Sequence, residues 1–352
     1  VATEEPGLAE ALRLQAMACA ALGSTQYATL IEALRSDVER GGLVHELLAH
    51  RPEAPLRDAL ILRLLGGVHH LVLQGAAPEL AERYPSTGGD GATINPDAFL
   101  AVVARNRDAI ADALGRTVQT NEVGRCAALL PAFAEVARST RLPLHMLEVG
   151  ASAGLLSNWD RYRYECFAST YGDPTSGVRM TDRWVEPFDL AMPSVVRSRA
   201  ACDIAPLDTR DHDSRLRLLS FVWPDQQRRF ELLAAALEVA AAHPPVVDQA
   251  DAAVWLEHQL AIRPDATATI VFHSIVWQYL ARPTKERMRQ LLLEHGSAAT
   301  RERPLAWVRM EPAGAVADVR ITMWPGASEQ CVALTSYHGL DVRRPTDDGA
   351  RS

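Results

Sequence analysis

The stretch "PLHMLEVGASAGLLSNWDRYRYE", residues 143–165, decides how the rest of the chain is read. Pro143 to Val149 has the short, apolar character of a buried strand, and the residues from Ser152 onward predict a helix. Between them, Gly150-Ala151-Ser152-Ala153-Gly154 satisfies two patterns at once. Read as G-x-S-x-G, it is a nucleophile elbow with Ser152 placed for acyl chemistry. Read as an acid followed by spaced glycines after a strand, it is a loop that lets a nucleoside cofactor approach the backbone closely. The segments on either side discriminate between the two.

Everything before this stretch predicts helices. "GLAEALRLQAMACAAL" and "TQYATLIEALRSDVERGG" carry apolar residues at three- and four-residue spacing, and the second stops at Gly41-Gly42. "PLRDALILRLLGGVHHLVLQG" predicts a third, largely buried helix. "NPDAFLAVVARNRDAIADAL" starts with Asn95 as a cap and Pro96 at the first helical position. "TNEVGRCAALLPAFAEVARST" is the last helix before the strand, and Thr120 or Asn121 would cap it. After residue 143 strands and helices alternate. "VVRSRAACDI", "PPVVDQAD", "ATATIVFHS" and "PLAWVRME" read as strands, and two more, "VRITMWPG" and "CVALTSYHG", close the chain. Such alternation predicts a mostly parallel sheet with helices on both faces, ended by a hairpin. The expected division is a helical cap domain over residues 1–140 and an α/β domain over 141–345.

Composition narrows the class. The chain has 352 residues, an apolar fraction of 48% and a formal net charge of −8, which gives no electrostatic footprint for nucleic acid. No apolar run is long enough for a membrane span, and the acidic start "VATEEPGLAE" lacks the features of a signal peptide, so the cytoplasm is the expected location. Five scattered cysteines, never in a C-x-x-C pair, point to reduced thiols and to no structural metal site. His69 and His70 sit in an apolar helix and read as core or surface histidines, not as metal ligands.

Five βα units closed by a hairpin resemble the order of class I S-adenosylmethionine (SAM)-dependent methyltransferases. "LEVGASAG" resembles the first glycine-rich motif of those enzymes, with Ser152 standing where the middle glycine is usual. The blocks "VQTNEVGRCAALLP", "LEVGASAGLLSNWDRYRY", "GDPTSGVR", "FVWPDQ" and "VFHS" resemble the DUF2332 family of uncharacterised, mostly actinobacterial proteins. The resemblance implies a Rossmann-like class I methyltransferase fold behind an all-helical N-terminal domain, and SAM as cofactor.

In that reading Gly150 and Gly154 open the loop, Ser152 is tolerated as a small residue, and Glu148 faces the ammonium end of SAM. Asp203 ends the next strand and would accept the ribose hydroxyls, with Asp208 as the fallback. About fifty residues separate Asp203 from Gly154, where roughly twenty are usual, so "GDPTSGVRMTDRW" is expected to be an insertion. Asp251 would meet the adenine, and Arg125 would pair with the cofactor carboxylate. Ligands of open α/β sheets lie beyond the carboxyl ends of the strands. His273 and Ser274 would therefore face the reaction centre, His273 as the proton acceptor with Glu311 as second candidate. Asn121 and Glu122 would face the substrate, and Trp277 and Tyr279 would offer aromatic faces to the sulfonium.

A hydrolase needs an acid and then a histidine after Ser152, which Asp203 or Asp251 with His273 or His338 would supply. It also needs an earlier strand for its oxyanion loop, and only helices precede. The expectation is therefore methyl transfer to an oxygen or nitrogen nucleophile of a small molecule, with no nucleic-acid or membrane partner. A lyase or cyclase acting on SAM itself, and a non-catalytic binding module, are the alternatives.

Overall fold

A computed structural model describes residues 6–345 of the chain. It divides into two compact units, one running up to Thr120 and including Asp211–Ala234, the other formed by Asn121–Arg210 and the chain from Ala235 onward.

The helical unit contains α1 (Leu8–Ala21), α2 (Thr25–Glu39), α3 (Leu43–Leu48), α4 (Leu60–Leu73), α5 (Pro78–Ala81), α6 (Pro96–Arg105) and α7 (Arg107–Gly115). Their apolar stripes, including Leu30, Leu34, Leu64, Val68, Phe99 and Val102, close into one core. Asn95 caps α6 as its position predicts, its Oδ1 accepting from the backbone of Asp97 and Ala98. The single helix expected after Asn95 is broken at Asn106, whose side chain donates to the Val102 carbonyl at 2.8 Å and competes with the helical pattern. His69 is a core histidine. Its Nδ1 lies 3.0 Å from the Ser220 carbonyl and its Nε2 2.8 Å from Ser86 Oγ. A carbonyl only accepts, so Nδ1 carries the proton, and burial pushes the ring down to about 4.

In the sheet unit, α8 (Arg125–Thr140) precedes β1 (Leu144–Val149). The crossover from β1 carries β2 (Arg163–Cys166), β3 (Ser169–Tyr171) and β4 (Arg179–Met180), followed by β5 (Val196–Asp203). The chain then forms α9 (His212–Ser220), which belongs to the helical unit, and continues with α10 (Gln227–Ala242), β6 (Val247–Gln249), α11 (Ala252–Ala261), β7 (Ala268–Ser274), α12 (Arg282–Ser297), β8 (Leu305–Ala313), β9 (Val316–Trp324) and β10 (Ser328–Thr335). The seven-stranded sheet has the order β10-β9-β8-β7-β1-β5-β6. The five strands from β6 to β8 run parallel, and β9 and β10 extend the sheet as an antiparallel meander. The mostly parallel sheet with a terminal hairpin is therefore present. Among the described residues no strand precedes β1, and no helix is long and apolar enough to cross a membrane.

Two sequence expectations are corrected. No α-helix follows the glycine loop: a short 3-10 helix, Leu155–Arg161, leads straight into β2. Gly150, Ser152 and Gly154 all have positive φ (69°, 54° and 72°), so the chain cannot enter an α-helix at Ser152. Beyond it, Tyr162, Tyr164 and Cys166 are buried at alternate positions, a strand period. The second correction concerns the division at residue 140. Helix α8 belongs with the sheet unit, where it packs over β7, β8, β9 and β10 and where Phe133 meets Phe272 at 5.2 Å. Segment Asp211–Ala234 belongs with the helices.

Candidate functional site

The sheet reverses its build order at β1, with β5 and β6 on one side and β7 and β8 on the other. Ligands of open α/β sheets lie beyond the carboxyl ends at such a point. Val149 pairs with Cys202, Glu148 with Phe272, and Ser274 with Met310. Continuing this register, Asp203, Gly150 and Ser274 form a row across the rim, and Glu311 follows Met310. The expected insertion explains the spacing of Asp203: β2, β3 and β4 form a separate three-stranded sheet, and β5 still ends beside β1.

The glycine loop is held by its own chain. Gly150 and Ala151 donate to the Cys202 carbonyl at 2.9 and 3.0 Å, and Ser152 N donates to Asp203 Oδ2 at 2.7 Å. A Cβ on Gly150 would lie 2.4 Å from Val276, and one on Gly154 2.7 Å from Pro245. The space these glycines leave on the Cβ side is filled by Val276 and Pro245. Asp203 is half-buried; its Oδ1 accepts from Ala205 N at 3.0 Å. A carboxylate offers about four acceptor positions, so two stay open beyond the loop contacts.

Side chains alternate between faces along each strand. On the α8 face, Arg125 Nε donates to the Tyr337 carbonyl at 3.1 Å, and its Nη1 lies 3.3 Å from Ser274 O and 3.5 Å from Ser274 Oγ. Arg125, expected to hold a ligand carboxylate, instead ties the turn after β10 to the end of β7. Asn121 Oδ1 accepts from Leu155 N at 2.8 Å, fixing the end of the glycine loop. Neither Thr120 nor Asn121 caps α8. Gly124 occupies that position, with Glu122 and Arg183 3.3 and 3.2 Å from where its Cβ would be. Glu148 is only 3% exposed and takes the Ser157 hydroxyl at 2.5 Å. Burial pushes its carboxyl up to about 8, the Ser157 hydrogen bond opposes the rise, and the charge of Asp203 adds to it. It is a sealed acid, not the exposed partner of a ligand ammonium.

On the opposite face lie His273 and Glu311, with His273 Nδ1 2.6 Å from Glu311 Oε1. Trp307 donates its indole N–H to His273 Nε2 at 3.1 Å. Indole nitrogen only donates, so Nε2 is the acceptor and the proton sits on Nδ1, directed at Glu311. The lone pair that a histidine base needs is therefore occupied. Glu311 Oε1 also accepts from Val276 N and Trp277 N, both at 3.2 Å, while Oε2 is buried with no hydrogen-bond partner. Trp277 stacks on His273 at 5.3 Å and carries the Arg289 guanidinium over its ring at 4.9 Å. Its cation–π capacity is used within the chain. Tyr279 is 74% exposed. Asp251 lies outside the cluster as the cap of α11, with Oδ1 accepting from Ala253 N and Val254 N and Oδ2 from Thr284 Oγ1.

Sequence reading missed Trp307 and Arg289. The signal for Trp307 was available: it sits four residues before Glu311 on one strand, hence on the same face. Arg289 on α12 left no such signal. Ser152 has the positive φ of an elbow nucleophile. It is 6% exposed, however, and both ring nitrogens of His273 are engaged. Among the described residues no group of three or more His, Cys, Asp or Glu is arranged to hold a metal ion.

The model of the DUF2332 family, described as "uncharacterized protein conserved in bacteria", matches residues 9–344. The chain belongs to the DUF2332 family. Comparison with curated proteins and with solved structures returned no match.

Proposed function

We infer that this DUF2332 protein is a SAM-dependent methyltransferase acting on an oxygen or nitrogen nucleophile of a small molecule, with a class I methyltransferase-like sheet unit. The observation that carries the reading is the position of Asp203. Despite its distance in sequence, it ends the strand beside β1, half-exposed and bonded to the left-handed loop, where a carboxylate can accept a ribose diol. When bound, the cofactor supplies an electrophilic methyl group, so the chain has mainly to align the nucleophile and exclude water.

The roles within the cluster follow from its hydrogen bonds. Asp203 holds the nucleoside with its open acceptor positions. Glu148, Gly150 and Gly154 shape the loop and do not touch the ligand. Ser274, in the row between Gly150 and Met310, offers a hydroxyl to the acceptor. Glu311 is assigned the acceptor's proton, a step that requires its buried Oε2 to be uncovered when substrate binds. His273 is a positioning residue, since its Nδ1–H, with the N–H groups of Val276 and Trp277, fixes Oε1 and leaves Oε2 free. Asp203 and Glu311 sit on strands three apart, about 14 Å across the sheet, so a ligand serving both lies along the rim.

The test is transfer of label from methyl-labelled SAM into the small-molecule fraction of a bacterial metabolite extract. Wild type is expected to transfer label, and Glu311→Gln to lose about a hundredfold or more of that rate. His273→Gln, which keeps a donor toward Glu311, is expected to lose less. Label absent from every fraction, with SAM consumed or untouched, contradicts the assignment.

A further inference from the structure

The helical unit holds a cavity of about 200 Å³ that the methyl-transfer reading does not use. Helices α4, α7 and α9 enclose it, with Gly66, Gly67, Leu71, Ala113 and Phe221 as its apolar surface. The glycines let the elements approach closely, since a Cβ on Gly66 would lie 2.7 Å from the Phe221 ring and one on Gly67 2.8 Å from Ala113. Empty apolar cavities of roughly 150 Å³ accept benzene, so a single ring fits the available volume.

The remaining wall is charged, with Arg63, Arg116 and Arg217 beside Asp112 and Asp213. Arg116 pairs with Asp112 and lies 3.9 Å from Asp213. Asp213 also takes His70 Nε2 at 3.0 Å and Gln74 Nε2 at 3.3 Å. Arg63 is 6% exposed, donates to the Leu114 carbonyl at 3.1 Å and lies 3.5 Å from Glu53, yet its Nε is buried without a hydrogen-bond partner. Arg217 donates to the Thr117 carbonyl at 3.1 Å and, among the described residues, has no carboxylate at ion-pair distance. Burial and the neighbouring Arg116 both hold its pKa below the usual arginine range. A buried guanidinium with an unpartnered Nε beside a half-buried one with no carboxylate at ion-pair distance among the described residues favours an anion between them.

We propose that this cavity binds a small organic carboxylate with a flat apolar body, the carboxylate meeting Arg217 and the body lying on Gly66, Gly67 and Phe221. The site is independent of the sheet rim. Arginine suits the task because its planar fork matches a carboxylate in two parallel hydrogen bonds.

The experiment is calorimetric titration of the full chain with benzoate, acetate, benzyl alcohol and inorganic phosphate. Benzoate is expected to bind one to one, and acetate and benzyl alcohol at least tenfold more weakly, because each keeps only half of the recognition. Arg217→Met, which keeps the apolar stem, should weaken benzoate tenfold or more. Ala109→Phe on the exposed rim should abolish binding while leaving the circular dichroism spectrum and Tm unchanged, so the site is tested even if the arginine variant folds poorly. Asp203→Ala should bind benzoate like wild type. No saturable benzoate binding, or binding unaltered by Ala109→Phe, overturns the proposal. Phosphate binding more tightly than benzoate overturns the carboxylate assignment.

Discussion

The helical unit buries His69 and the sheet unit Glu148, and the two respond to pH in opposite directions. His69 is pushed down to about 4 and Glu148 up to about 8, in both cases chiefly by burial. Both are therefore mostly neutral inside the protein near neutral pH. They differ in surroundings: His69 has hydrogen-bond contacts at both nitrogens in a closed helical core, whereas Glu148 has one hydroxyl partner and feels the charge of Asp203 at the sheet rim. The comparison shows that burial alone does not mark a functional group. In the proposed function the half-exposed Asp203 and Glu311 are assigned the chemistry, and the most deeply buried acid is not.

The largest expected effect separates the glycines of the two units. Gly150→Ala places a Cβ 2.4 Å from Val276 at a φ of +69°. Left-handed strain and overpacking together predict a loss of about 2–5 kcal/mol in chemical denaturation. A loss below about 1 kcal/mol would mean that the loop can move away from Val276.

Next comes Glu148. Its folded value lies above the ordinary 4.5, so the folded state holds more protons between about 4.5 and 8. The associated stability is fully present below about 4.5 and is lost as pH rises to 8. The wild-type Tm should fall by several degrees from pH 5 to 8 more than that of Glu148→Gln. Parallel curves for the two proteins would refute a sealed acid.

His69 predicts the reverse with a smaller amplitude. Its folded value lies below the ordinary 6.5, so the unfolded chain binds the extra proton and stability is lost as pH falls from 6.5 to about 4. His69→Gln keeps a donor and an acceptor and should flatten that acid limb. The smallest effect is expected for Gly66→Ala. The gain of about 1 kcal/mol in helix propensity opposes contact with the Phe221 ring, leaving a net change within about 1 kcal/mol.

Much of the fold was legible because periodicity and punctuation agreed. Asn95 and Pro96 start α6, and the β-branched run before His273 forms β7 as expected. The α-helix expected after Ser152 was not there, because the sequence gives no sign that Ser152 adopts a positive φ between two glycines that do the same. The break at Asn106 was hidden for a related reason, since a side chain competing for a backbone carbonyl leaves the apolar period intact. Within the candidate site, Asp203 and Ser274 end their strands as read, whereas β8 runs two residues past Glu311 to Ala313. Their partners were not readable, because Trp307 on His273 and Tyr337 on Arg125 are contacts between elements far apart in sequence. Those partners engage both ring nitrogens of His273 and tie Arg125 to the end of β7 and the turn after β10.

The most direct test is thermal unfolding of the full chain with saturating SAM and with its demethylated product, S-adenosylhomocysteine, for wild type and Asp203→Ala. A ligand at about a hundred times its dissociation constant stabilises by roughly 2.7 kcal/mol. In a protein of this size that corresponds to several degrees. Both ligands are expected to raise the wild-type Tm by that amount and to leave Asp203→Ala unmoved at the same concentrations. An unchanged wild-type Tm at saturating SAM, or an equal rise in the variant, would contradict the placement of the cofactor at Asp203.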